Sequence, residues 1–395
     1  MSSISKLAEF AARVRGGMCA LTGMVGPPAG SLYRFDQLAL DLFRLQFEWN
    51  AAYRQFCVAR QARPENVAHW TAIPAVPASA FKEWELSCLS SEERTTVFYS
   101  SGTTGQQPSR HFHSAASAEV YEASLLGWFG AHFPMANGKW QMAEGRSAGD
   151  WQMANKAAGG LQMLILTPTL VQAPHSSLVH MFETIRRELG TGEGCIVGKV
   201  AEDGGWSLEA EAAVQLLERV NGAGQPLLVL GTAFSFVHLL DFLAERGLRF
   251  ALAPGSCALE TGGYKGRSRV LAKTALHALI SQRLGIPPDH IICEYGMSEL
   301  SSQAYDCAIG TEFAARHASR CFQFPPWARV QIISPETGCE VDDGETGLIR
   351  IFDLANVWSV MAIQTEDLGV RHGDGFTLAG RAVRAEPRGC SLMAV

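Results

Sequence analysis

Three separated clusters of hydroxyl, carboxylate and glycine residues carry the chemistry this chain could perform. The first is Tyr99-Ser100-Ser101-Gly102-Thr103-Thr104-Gly105-Gln106-Gln107-Pro108. Gly102 and Gly105 let the backbone turn tightly towards an anion. Ser100, Ser101, Thr103 and Thr104 add hydroxyl donors, and backbone N–H groups with hydroxyls are what phosphate oxygens require. No Gly-Lys-Ser/Thr follows the second glycine, so this is not a Walker loop. An ordinary Ser/Gly-rich surface loop is the competing reading. The second cluster, Glu294-Tyr295-Gly296-Met297-Ser298-Glu299, directly follows an expected strand. The end of a buried strand is where α/β sheets place ligands. A carboxylate there, Glu299, could hold Mg²⁺ against phosphate oxygens, and Tyr295 offers an aromatic face beside a nucleotide; a strand-terminal glutamate that caps a helix is the alternative. The third is Thr365-Glu366-Asp367-Leu368-Gly369, followed by Gly375-Phe376 and Gly380-Arg381. Asp367 could accept both hydroxyls of a ribose and Arg381 could reach ribose or phosphate, whereas a hairpin with a satisfied turn aspartate would need no ligand.

These clusters need elements to hold them. Apolar residues at helical spacing (Leu38, Leu42, Leu45, Trp49, Tyr53, Phe56) predict helical structure over 35–61, and Pro64, Pro74 and Pro77 then enforce an extended connector. Beyond it strands and helices alternate. Strands are expected over 95–100, 161–166, 227–230, 250–253 and 290–294. Helices are expected over 115–129, from Ser176-Ser177 onward, over 208–220 with Ser207 as N-cap, over 234–245 and over 268–283. Such alternation argues for an α/β architecture with buried sheets. After residue 325 short strands (328–333, 347–352, 375–378) separated by turn signals such as Asp342-Asp343-Gly344 predict a small β-rich subdomain.

Composition narrows the classes. In 395 residues, 47% are hydrophobic and 18% charged, which suits a globular chain with a sizeable core. A net charge of −6 with no Lys/Arg run gives no footprint for nucleic acid. No apolar stretch approaches the roughly 20 residues needed to span a bilayer, and the N-terminus has no signal-peptide core, so a cytoplasmic location is expected. The ten cysteines stand singly without a Cys-x-x-Cys pair. They read as buried reduced thiols rather than zinc ligands or disulfides, with Cys390 set aside. His111-x-His113 would share one face of a strand, but no third ligand is evident nearby.

In order and spacing the three clusters resemble the acyl-adenylate-forming (ANL) superfamily of acyl-CoA synthetases, luciferase and peptide-synthetase adenylation domains. Its members carry a Ser/Thr/Gly phosphate loop, then Tyr-Gly-x-Ser/Thr-Glu, then an aspartate and a Gly-Arg pair. The resemblance implies an α/β fold: the large N-terminal domain of an adenylate-forming enzyme, with two α/β subdomains and a small β-rich one. The boundaries expected here are a helical segment over 1–70, an adenylation core over 71–325, and a β-rich subdomain with the tail over 326–395. Two departures stand out. Pro108 is followed by Ser109-Arg110 where most members have lysine, and the chain stops 14 residues after Arg381, so the family's mobile C-terminal domain is expected to be lacking.

Further stretches are similar to the LuxE-type acyl-protein synthetase of the bacterial bioluminescent fatty-acid reductase complex: Val76-Pro77 through Phe81-Lys82, Ser176-Ser177-Leu178-Val179-His180-Met181, Glu260-Thr261-Gly262-Gly263-Tyr264-Lys265 and Arg388-Gly389-Cys390-Ser391-Leu392. That resemblance implies ATP and Mg²⁺, a fatty or aromatic acid activated as acyl-AMP, and transfer to a thiol for delivery to a partner acyl reductase. It also implies nucleotide contacts by Ser100–Gly105, Gly262, Gly263, Glu294, Tyr295, Gly296, Met297, Ser298, Asp367 and Arg381, metal binding by Glu299, and catalysis by Glu299, Arg381 and Cys390. Arg384 and Arg388 near Cys390 would lower its thiol pKa. Two rivals stay open: transfer to coenzyme A or a carrier protein, as in phenylacetate-CoA ligases, and a non-catalytic acid- or nucleotide-binding relative.

Overall fold

The computed structural model describes residues 3–21, 35–100, 107–133, 161–190, 196–262, 271–306 and 320–382. Helix α1 (Ser3–Leu21) is followed by α2 (Phe35–Trp49) and α3 (Ala51–Ala59), so the stretch expected to be helical is divided in two. Asn50 breaks it: its backbone is extended and its side chain accepts from the Tyr53 N–H, a cap that opens a new helix. Both helices bury Phe35, Leu42, Phe43, Tyr53 and Phe56 in the core shared with the C-terminal sheet. Buried Gln46 fixes this docking, donating to the Asn356 carbonyl and accepting from the Met361 N–H.

The connector carries β1 (Val76–Pro77) and the one-turn α4 (Ala80–Glu83). Strands β2 (Thr96–Tyr99) and β3 (Arg110–His113) then pair antiparallel with Tyr99 opposite Arg110, bracketing the first hydroxyl cluster. Helix α5 (Ala115–His132) opens on a Ser114/Ser117 capping box. Next come β4 (Gln162–Ile165), α6 (Ser177–Leu189) capped by Ser176 as expected, and the small pair β5 (Gly198–Val200) and β6 (Trp206–Leu208). Ser207 pairs with Lys199 inside that ladder, so it does not cap α7 (Ala210–Gly222), which begins after Glu209 without a side-chain cap.

The central sheet is completed by β7 (Leu227–Thr232), α8 (Ala233–Glu245), β8 (Cys257–Thr261), α9 (Lys273–Leu284), β9 (Ile291–Tyr295) and β10 (Ala304–Tyr305). Its order is β10-β9-β8-β7-β4, parallel except for the β10 edge. Residues of β7, β8 and β9 are buried on both faces, as their apolar runs require. The strand expected over 250–253 does not form. Phe250 and Leu252 donate their N–H groups to the Arg283 and Leu284 carbonyls that end α9, so they are spent before any ladder could use them.

The second sheet contains β11 (Ala328–Ile333), β12 (Thr346–Asp353), β13 (Ala362–His372) and β14 (Gly375–Arg381), with β1 parallel to β13 at its edge. The 11-residue β13 was not anticipated, and it places the third cluster in mid-strand rather than in a turn. Among the described residues no helix is long and apolar enough to cross a membrane.

Candidate active site

The carboxyl ends of β8 and β9 lie side by side, with Thr261 in register with Glu294. Gly262 follows at φ 68°, a left-handed conformation that glycine adopts without strain, and its Cα faces open space. The Thr261 hydroxyl donates to Glu294. Burial raises the Glu294 carboxyl to about 7; the Thr261 hydrogen bond opposes the rise and the nearby Glu260 adds to it. Gly296 gives space: a Cβ there would lie 2.2 Å from Oε1 of the Glu294 carboxylate, whose other oxygen accepts from the Thr261 hydroxyl.

From this strand end the segment 295–299 reaches in two directions. At one end the Tyr295 hydroxyl donates to Asp367 Oδ2 at 2.9 Å, linking the two sheets. Arg381 Nε donates to Asp367 Oδ1 at 3.0 Å, because Asp367 and Arg381 are register partners across β13 and β14. Both carboxylate oxygens keep a second lone pair free to accept. The Tyr295 ring is buried, packed edge-on against Phe324 and Phe376. At the other end Glu299 is only 5% exposed. Its carboxylate accepts from Ser298 Oγ at 3.0 Å and from the Ser109 hydroxyl. Burial raises its pKa, while these hydroxyls and the charge of Lys82 work against the rise. A buried carboxylate flanked by hydroxyls is an all-oxygen donor set of the kind Mg²⁺ takes, so the residues present fit that ion.

The segment is held from behind by His111, whose Nδ1 donates to the Ser298 carbonyl at 2.8 Å. Burial depresses its pKa to about 4, leaving it neutral. His113 bonds Ser117 Oγ instead. The two rings pack at 4.2 Å between centroids. Sequence reasoning missed this role of His111 and the approach of Lys82; the parity of β3, which turns His111 towards the core, is the signal that could have found the first.

Of the nucleotide-contact candidates, Ser100, Gly262, Glu294, Tyr295, Gly296, Met297, Ser298, Asp367 and Arg381 are described. The Ser100 hydroxyl accepts from the Ser109 N–H, tying the start of the first cluster to the residue beside Glu299. Ser101, Gly102, Thr103, Thr104, Gly105, Gly263 and Cys390 lie outside the described residues. Six described cysteines are free thiols, and Cys339 alone among them is exposed, which agrees with the reading of mostly buried reduced thiols.

Comparison with known proteins bears on the same residues. The family model described as acyl-protein synthetase, LuxE, matches residues 200–394. Two curated relatives are both named long-chain-fatty-acid–luciferin-component ligase. The one from Aliivibrio fischeri is 23% identical over 85% of this chain and 78% of its own length. The one from Vibrio harveyi is 23% identical over 93% of this chain and 89% of its own. Among solved structures, 2-hydroxyisobutyryl-CoA ligase in an open conformation with its acyl-AMP and CoA superposes with a TM-score of 0.56 at 14% identity, over 92% of this chain and 82% of that one. The same enzyme in its thioester-forming state gives 0.57, also at 14% identity, over 88% and 68%. The fold is thus that of the adenylate-forming enzymes, and residues 200–394 are similar to the LuxE-type acyl-protein synthetases.

Proposed function

We propose that this enzyme activates a fatty acid with ATP as its acyl-AMP and then passes the acyl group to a thiol, with Cys390 as the acceptor. The observation that carries the reading is the convergence of Glu299, Gly262 and the Tyr295–Asp367–Arg381 chain of hydrogen bonds at the carboxyl ends of β8 and β9. A carboxylate oxygen of the acid attacks the α-phosphorus, the bond to pyrophosphate breaks, and pyrophosphate leaves. The Cys390 thiolate then attacks the acyl carbon and AMP leaves.

Ser100–Gly105 offset phosphate charge with hydroxyl and backbone N–H groups. Gly262 and Gly263 let the backbone approach the base, beside Glu294, Tyr295, Gly296, Met297 and Ser298. Asp367 accepts from the ribose hydroxyls and Arg381 orients that carboxylate. Glu299 would hold Mg²⁺, which when bound neutralises phosphate charge. His111 keeps Ser298 and Glu299 in place. Most of the rate enhancement comes from such positioning and fixed charge. The relatives' names favour a long-chain acid, and an acyl reductase is the fitting recipient of the thioester.

ATP with a labelled acid should release pyrophosphate and leave label on the protein that resists acid but yields to hydroxylamine. Cys390→Ser should abolish the label and spare acyl-AMP formation. Label on another cysteine would move the acceptor. Unlabelled protein with rapid transfer to coenzyme A would replace self-acylation by the ligase reaction, and absence of pyrophosphate release with every acid tried would overturn the reading.

A further inference from the structure

One polar cluster lies behind the site just described, linked to it through the charge of Glu260 near Glu294. Glu260 on β8 and Cys293 on β9 are register partners, and His277 on α9 faces them; all three are buried. Cys293 Sγ lies 2.8 Å from Glu260 Oε2 and 3.4 Å from His277 Nε2, and His277 Nε2 lies 3.7 Å from Glu260 Oε2. The three ligand atoms form a closed triangle in the interior, one each of sulfur, nitrogen and oxygen.

We propose that Glu260, His277 and Cys293 form a binding site for a borderline transition-metal dication, Zn²⁺ being the natural occupant. A tetrahedral Zn²⁺ with a sulfur at about 2.3 Å and nitrogen and oxygen at about 2.0–2.2 Å requires ligand–ligand edges of about 3.4–3.6 Å. The two edges that involve His277 already fall near that span. The sulfur–oxygen edge is shorter because the thiol donates its proton to Glu260, and that is the proton the metal would displace. The step balances as thiol plus dication giving a metal thiolate and one proton, which passes to solvent. Burial raises the Cys293 thiol well above its ordinary value, so without a metal it stays protonated.

The surroundings suit this exchange. Lys273 Nζ and Arg320 both bind Asp306, at 2.6 and 2.9 Å, so two cations share one carboxylate beside the cluster. Lys273 also hydrogen-bonds Cys293, which steadies a thiolate. Among the described residues Glu260 is bonded to the Cys293 thiol and paired with His277. The mixed sulfur, nitrogen and oxygen set separates this site from the all-oxygen surroundings of Glu299 and disfavours Mg²⁺ and Ca²⁺. Three protein ligands leave a fourth position for water. Glu260 and Cys293 each sit one residue before the strand ends that carry Thr261 and Glu294, so an ion here would pin β8 to β9 directly beneath the active site.

The test uses the full chain stripped with a chelator and titrated with Co²⁺. A thiolate-to-cobalt charge-transfer band should grow to one equivalent, be abolished by Zn²⁺, and be lost in Cys293→Ser, with His277→Gln altering the visible d–d bands. X-ray absorption on the Zn²⁺-loaded wild type, which needs no variant to fold, should show one sulfur and two or three lighter ligands. Absence of a saturable band, its full survival in Cys293→Ser, or a sulfur count other than one would overturn the proposal.

Discussion

Glu299 and Asp367 are carboxylates tied to opposite ends of the same five residues, yet they live in different electrostatic worlds. Glu299 is an interior group held by the Ser298 and Ser109 hydroxyls, and burial raises its pKa. Asp367 stands at the rim in the second sheet, and its guanidinium partner Arg381 has a side chain 79% exposed. An interaction removed from water is stronger than the same interaction at a wet surface, and a buried group left without its partner is costlier. Chemistry that depends on charge should therefore be most sensitive at the Glu299 end, and binding should be tuned at the Asp367 end.

The widest gap between the two ends should appear in catalysis. Glu299→Gln keeps the shape and the Ser298 contact but removes the charge. Pyrophosphate release should fall by about 10²-fold or more, the usual cost of losing a charge-stabilising group. A variant that retains more than about a tenth of the wild-type rate would leave the two ends equivalent.

The support behind Glu299 should report through pH. With its pKa depressed to about 4, His111 binds no proton in the folded state where the unfolded chain does. Its contribution to stability is present above the ordinary histidine value and is lost as pH falls from about 6.5 towards 4. The change amounts to roughly 3 kcal/mol for a shift of this size. His111→Asn keeps an N–H donor for the Ser298 carbonyl but cannot titrate. In urea titrations the gap between wild type and variant should therefore close in the variant's favour from pH 7 to pH 4.5. A gap that does not change with pH would mean that His111 titrates alike in the folded and the unfolded chain.

Legibility in the sequence followed the same divide. The interior end was readable because a run of apolar residues, Ile291-Ile292-Cys293, ends abruptly in Glu294-Tyr295-Gly296, and a buried strand with a polar end has few other uses. The rim end was misjudged in structure. No strand was expected between 352 and 375, whereas 362–372 is one long strand and its turn lies at 373–374. Gly369 sits in the ladder because a Cβ there would crowd Ile332 and Ile349, a long-range packing reason that local pattern cannot show. The same limit hid Glu260, His277 and Cys293, which are far apart in sequence and meet only through strand order.

At the rim, Asp367→Ala should weaken ATP binding by about 1.5–3 kcal/mol for each charged hydrogen bond lost to the ribose, with a smaller effect on the rate at saturation. It also strips the Tyr295 hydroxyl of its acceptor. Asp367→Asn, which preserves an acceptor for Tyr295, separates the two losses. Unchanged nucleotide affinity in calorimetry would reduce Asp367 to a tie between the sheets.

Arg381→Ala should have the smallest effect, and it decides how the rim works. The guanidinium is mostly in water, and exposed ion pairs contribute about 0–1 kcal/mol, so stability should change by less than that. Two roles then predict different couplings. If Arg381 only orients Asp367, its loss should cost nothing further once Asp367 is alanine, and a double-mutant cycle on ATP affinity should show strong coupling. If Arg381 touches the nucleotide itself, the two losses should add, and raising the salt concentration should weaken ATP binding less in Arg381→Ala than in wild type. The bond from Arg381 Nε to Asp367 Oδ1 leaves the other guanidinium N–H groups available for that second role. Orientation alone is the expected result, because Asp367 is fixed from one side by Tyr295 and needs a second partner to hold its plane.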